Sequence, residues 1–123
     1  MITGIHHVTF LSADLARARA FYEGVLGLQH DPDRPSMSFD GVWYNVGSNQ
    51  QIHLMALPSP EAGLLRPEHG GRDRHVALAV SDFVKLIERL DQAGIAYTIS
   101  QSGRRALFCR DPDQNALEFV AVN

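Results

Sequence analysis

The chain has 123 residues, 45% hydrophobic and 20% charged, which suits a single globular domain burying roughly two-thirds of its unfolded surface and excludes wholesale disorder. Fourteen acidic against 11 basic residues give a net charge of −3, and Arg72, Arg74, Arg104 and Arg105 are too sparse for a nucleic-acid or anionic-membrane surface. A lone cysteine, Cys109, leaves no internal disulfide, no apolar run approaches the ~20 residues of a membrane span, and Met1–His7 does not read as a signal peptide, so a soluble cytoplasmic protein is expected.

In chain order, His7-Val8 is followed seven residues after its His by Asp14-Leu15, where a helix is predicted to start. Asp14 can cap it, Leu15, Ala18, Tyr22, Val25 and Leu26 share one face, and Gly27 suits a left-handed stop. A short strand near Gln29–Asp31 and a loop over 31–38 come next. Two β-like runs, Val42–Val46 and Gln51–Met55, flank the hairpin connection Gly47-Ser48-Asn49-Gln50. Residues 59–71, rich in Pro and Gly, read as a linker between segments 1–58 and 72–123. The order then begins again. His75-Val76 is followed at the same spacing by Asp82-Phe83, Phe83, Leu86, Ile87 and Leu90 share a helical face, and Gly94 ends it. Strands are predicted near Ala96–Ser100 and over Ala106–Cys109 and Ala116–Val120, the last two joined by a turn at Asp111–Asn115. The His-Val pairs lie 68 residues apart and the terminating glycines 67, which identifies a duplicated unit reading strand, helix, then two or three strands.

Against this repeat, two polar residues stand where apolar ones are expected. Glu118 is the only charge in Ala116–Val122, and an unpaired carboxylate covered on both faces would cost several kcal/mol. It must be paired, protonated or metal-bound. His53, 65 residues earlier, lies between Ile52 and Leu54 in the matching strand. Paired modules would bring His7, His53, His75 and Glu118 to one point, where three imidazoles and a carboxylate suit a divalent transition metal at about 2.0–2.2 Å and leave room for substrate. Taken singly, each has a plainer reading: a hydrogen-bonded core histidine, or a bridge from Glu118 to Arg105 or Arg110. Their coincidence with the repeat favours a site. His6 is expected on the strand face opposite His7, and His30 and His69 in solvated loops. Cys109 reads as an inert buried thiol, Trp43 and Tyr44 as split between two strand faces, and Arg104 and Arg105 as exposed strand-end charges, with a clamp on an anionic substrate tail as their other reading.

With His7 through Asp14-Leu15, Phe21-Tyr22 with Val25-Leu26-Gly27-Leu28, His75 through Asp82, and Asp111-Pro112-Asp113 followed by Leu117-Glu118, the chain resembles the vicinal oxygen chelate superfamily over nearly its whole length. That superfamily includes glyoxalase I, methylmalonyl-CoA epimerase, extradiol dioxygenases, and fosfomycin and bleomycin resistance proteins. The resemblance implies an α+β fold of two tandem βαβββ modules, whose curled mixed sheets surround a metal cavity, usually in a homodimer. The family's ligand positions fall on His7, His53, His75 and Glu118. His53 departs from glyoxalase I, which typically carries Glu there; Asn115 departs from the usual Asp-Pro-Asp-Gly turn. Thr9 matches a substrate-contacting threonine of fosfomycin thiol transferases, but Ser100–Arg105 lacks their acidic, serine-rich potassium loop.

With one carboxylate, a divalent site keeps a formal charge of +1 and favours an anionic ligand offering two oxygens. The expected function is therefore a metal-dependent enzyme of the glyoxalase type, isomerising or cleaving a small substrate, with Zn, Ni, Co, Mn or Fe as cofactor. Glu118 is the candidate catalytic carboxylate. Two other readings are carried: an Fe(II)-dependent extradiol-type dioxygenase using His7, His75 and Glu118, with His53 as an acid–base, and a non-catalytic protein that sequesters a drug or metabolite.

Overall fold

Each half of the chain builds the same four-stranded mixed sheet. In the first, β1 (His7–Leu11) pairs in parallel with β4 (Gln50–Met55), β4 pairs antiparallel with β3 (Gly41–Val46), and β3 with β2 (Gln29–His30). In the second, β5 (His75–Val80) pairs in parallel with β8 (Ala116–Ala121), then antiparallel pairs lead through β7 (Ala106–Arg110) to β6 (Tyr97–Ile99). The strand orders, β1-β4-β3-β2 and β5-β8-β7-β6, are the same order repeated, so the α+β class and the two βαβββ modules stand as expected. The computed structural model describes residues 1–122. It divides into two compact units, Met1–Ala62 and a second beginning at Gly63, a boundary that falls within segment 59–71.

Both helices start and stop on the residues singled out for it. The Asp14 side chain accepts from the Arg17 backbone N–H at 3.1 Å, and Asp82 accepts from Lys85 at 3.0 Å, each satisfying a donor that the first turn leaves unpaired. Gly27 and Gly94 take positive φ of 74° and 68°. The second helix, α2 (Phe83–Gln92), is regular. The first is not: α1 (Leu15–Arg19) widens into a π-helical segment, Ala20–Val25, where Leu26 N–H reaches back five residues to the Phe21 carbonyl at 3.0 Å. The wider turn brings two consecutive aromatics, Phe21 and Tyr22, inside together, while Val25 and Leu26 stay half-buried.

Strand alternation separates two faces on each sheet. Val42, Tyr44, Ile52 and Leu54 are buried on the helix side of the first, where Tyr44 stacks on Tyr22 at 5.7 Å and donates its hydroxyl to Glu23 at 2.7 Å. Burial raises the Tyr44 phenol pKa, and the Arg19 hydrogen bond lowers that of Glu23. In the second sheet Leu107, Cys109, Leu117 and Phe119 are buried with Phe83, Leu86 and Leu90 of α2. Burial pushes the Cys109 thiol up to about 12, so it stays protonated and inert at neutral pH. Over β7 and β8 the opposite face of this sheet is covered too. A 3-10 turn, Gly70–Arg72, lies on it, and a Cβ at Gly70 would meet Ala116 Cβ and Phe108 Cβ at 3.3 Å, so glycine permits the close approach. Leu117 is fully buried. We expect Leu117→Ala to cost about 2–5 kcal/mol in urea denaturation, the range for emptying a packed leucine site.

Candidate functional site

The parallel registers decide which polar side chains share a face. His7 lies opposite Gln51 and Thr9 opposite His53, so His7 and His53 are diagonal neighbours on the face turned away from the first helix. His75 lies opposite Ala116 and Ala77 opposite Glu118, which repeats the diagonal with His75 and Glu118. The four residues thus occupy equivalent places in two copies of one sheet, a pair in each. Among the described residues, no group of three or more His, Cys, Asp or Glu side chains is gathered to hold a metal ion.

In the first module His53 is buried between two flat rings. Trp43, its partner across β3, stacks at 4.3 Å and 6°, and His7 stacks at 4.0 Å and 14°. Gln51, on the same face, donates its amide N–H to Asp31 at 2.9 Å and to Asn45 at 3.0 Å, which leaves its carbonyl to accept from His53 Nε2 at 2.8 Å. That network assigns the ring proton to Nε2 and the lone pair to Nδ1. His7 Nδ1 meets His6 Nδ1 at 2.8 Å. His6 precedes β1, so strand parity does not separate it from His7 as expected.

In the second module His75 Nδ1 donates to the Asp73 carbonyl at 2.8 Å, which leaves the lone pair on Nε2. That nitrogen faces Glu118 Oε1 at 3.2 Å. Two lone pairs so close need a cation between or beside them, a proton or a metal ion. Two ligands of one ion, each at about 2.0–2.2 Å, sit roughly 3.0–3.5 Å apart, so the spacing fits the donors of a divalent metal. A ring N–H committed to a backbone carbonyl is likewise the arrangement that orients a metal-binding histidine.

The other oxygen of Glu118 is taken by Arg104, not by either of the two arginines expected to bridge it. Arg104 Nη2 lies 3.2 Å from Oε2, whereas Arg105 sits over the Phe83 ring and Arg110 pairs with Asp73 at 2.9 Å. Glu118 is only 3% exposed, and the Arg104 and His75 contacts keep its carboxylate from being orphaned. His69 departs from its expected solvated role: it is half-buried, bonds Thr98 Oγ1 at 2.7 Å, and packs edge-on to Phe108, whose ring also meets His75 at 5.0 Å. Trp43 and Gln51 could have been paired with His53 by parity alone; nothing in the linear chain pairs Arg104 with Glu118 or sets His69 against Phe108.

Burial, followed by the charge of neighbouring His7, pushes His53 down to about 4 from its ordinary 6.5. Its ring stays neutral in the fold while the unfolded chain takes up a proton, so its contribution to stability is complete above pH 6.5 and declines as pH falls toward 4. In metal-free protein, NMR titration of the His53 ring protons is expected to give a midpoint near 4; a midpoint at its ordinary value would contradict this account.

Comparison with known proteins places these features in context. The family model for the Glyoxalase/Bleomycin resistance protein/Dioxygenase superfamily matches residues 4–119. The chain is 31% identical to the uncharacterized protein YwkD of Bacillus subtilis, over 96% of both chains. It is 32% identical to mitochondrial methylmalonyl-CoA epimerase of Bos taurus over 63% of this chain and 47% of that protein. The crystal structure of the fosfomycin resistance protein FosX from Mesorhizobium loti superposes with a TM-score of 0.73 at 22% identity, covering 100% of this chain and 94% of that one, a likeness of fold. With the same duplicated sheet and a family match across nearly its whole length, the chain belongs to the glyoxalase, bleomycin resistance protein and dioxygenase superfamily.

Proposed function

We propose that this protein is a divalent-metal-dependent enzyme of the glyoxalase type, isomerising or cleaving a small substrate that offers two neighbouring oxygens. The reading is supported above all by the His75–Glu118 pair. A ring nitrogen whose proton is committed elsewhere faces a buried carboxylate oxygen at ligand spacing. His7, His53, His75 and Glu118 would hold the ion. When bound, it would act as a Lewis acid, stabilising negative charge that develops on the substrate's oxygens.

The chain's own residues supply the rest. Asp73, fixed by Arg110 at 2.9 Å and Arg66 at 3.4 Å, holds His75 through its carbonyl. Glu118 is the only carboxylate among the strand residues on its face of the second sheet, so a proton-moving role there falls to it, and it must first release His75 or Arg104. Trp43 closes one side of His53 with an apolar plane that excludes water. A second reading rests on His53, whose Nε2 proton is committed to Gln51. His7, His75 and Glu118 would then form a three-residue site suited to Fe(II), and His53 would serve as an acid–base, as in an extradiol-type dioxygenase.

Equilibrium dialysis against Zn, Ni, Co, Mn and Fe(II) salts is expected to find one ion per chain. His75→Ala and Glu118→Gln are each expected to weaken the binding by ~100-fold or more, since a lost ligand costs at least what a lost supporting group does. Absence of uptake from every one of these salts would defeat the proposal. Oxygen consumption with catechols by the iron-loaded protein separates the two readings.

A further inference from the structure

Arg104 is the solvent-exposed partner of the buried Glu118 carboxylate. It lies in the loop between β6 and β7, after Gly103 turns the chain at φ 83°. Its backbone N–H and its Nε both point at Ser102 Oγ at 3.3 Å, and that hydroxyl meets Ser100 Oγ at 2.8 Å. One edge of the guanidinium is thereby tied to the loop, and Nη2 reaches Glu118 Oε2 at 3.2 Å. The Arg104 side chain is 61% exposed, while that of Glu118 is 4% exposed. One partner is locked in the sheet and the other can leave it.

In the structure the guanidinium neutralises a buried carboxylate that would otherwise be costly to keep. A divalent ion on Glu118 would take over that task. The local charge then stands at +2 from the ion, −1 from Glu118 and +1 from Arg104, and a guanidinium repelled by the ion is free to turn toward an anion. Its planar fork matches a carboxylate or phosphate oxygen pair.

We propose that Arg104 is a specificity-determining residue: released from Glu118 when metal binds, its guanidinium reads a carboxylate or phosphate carried by the substrate beside its two chelating oxygens. This rests on the metal-dependent reading above. It makes two predictions of opposite sign for one variant. Arg104→Gln removes a competitor of the metal for Glu118, so metal affinity should rise, a few-fold to about tenfold. The same variant removes the anion's partner, so binding of anionic substrates to the loaded protein should fall.

The probes are dihydroxyacetone, dihydroxyacetone phosphate and hydroxypyruvate, which share an α-hydroxy ketone and differ in the anionic group. Calorimetry on zinc-loaded wild type is expected to show about tenfold or greater preference for the two anions over dihydroxyacetone. Arg104→Gln should bring that preference close to one, and Arg104→Lys should restore part of it. Circular dichroism checks that the variants are folded. An Arg104→Gln protein that binds metal more weakly than wild type, or that keeps the wild-type preference for anions, overturns the proposal. Failure of wild type to bind any metal defeats the metal-dependent reading itself, and this inference with it.

Discussion

Parallel pairing of the first and last strands of each module is the constraint on which the site depends. It sets Thr9 beside His53 and Ala77 beside Glu118, so that His7, opening β1, lies diagonally across from His53, and His75, opening β5, diagonally across from Glu118. Side chains alternate between faces with period two, so a slip of one residue would turn His53 or Glu118 into the helix-packed core and expose a leucine in its place. The apolar face enforces the register that the polar face uses. Leu54, Ile52, Leu117 and Phe119, all buried, hold the alignment for two side chains that would be expensive to bury alone.

The two modules have kept the scaffold and diverged in chemistry. Where the first has Trp43 beside His53, the second has Phe108 beside Glu118; where the first has Gln51 opposite His7, the second has Ala116 opposite His75. In the first pair the His53 ring lies between the Trp43 and His7 rings, where burial favours its uncharged form. The second pair is charged and is compensated from outside the sheet by Arg104. Duplication therefore provides two equivalent anchor points, and substitution at matched positions divides electrostatic work between them.

The supporting contacts show how each donor is oriented. His53 is set by Gln51, itself held by Asp31 and Asn45, and His75 is set by the Asp73 carbonyl, with the Asp73 carboxylate clamped by two arginines. In both cases that hydrogen bond fixes which ring nitrogen carries the proton, and so where the lone pair points. A site that must recognise a ligand quickly and specifically gains from such prior orientation, because the ordering cost is met during folding.

Much of this was legible in the linear chain. The 68- and 67-residue offsets revealed the duplication, Asp14, Asp82, Gly27 and Gly94 marked the helix ends, and parity separated Trp43 from Tyr44. These are local or periodic signals, set by backbone geometry within a few residues, and a sequence displays them directly. The π-helical widening that buries Phe21 and Tyr22 together, the placement of His69 against Phe108, and the choice of Arg104 over Arg105 and Arg110 as partner of Glu118 were decided only in three dimensions. Each depends on where a loop or a helical turn brings a side chain after the sheet has formed. That distance is governed by packing between segments far apart in the chain, and residue spacing carries no record of it.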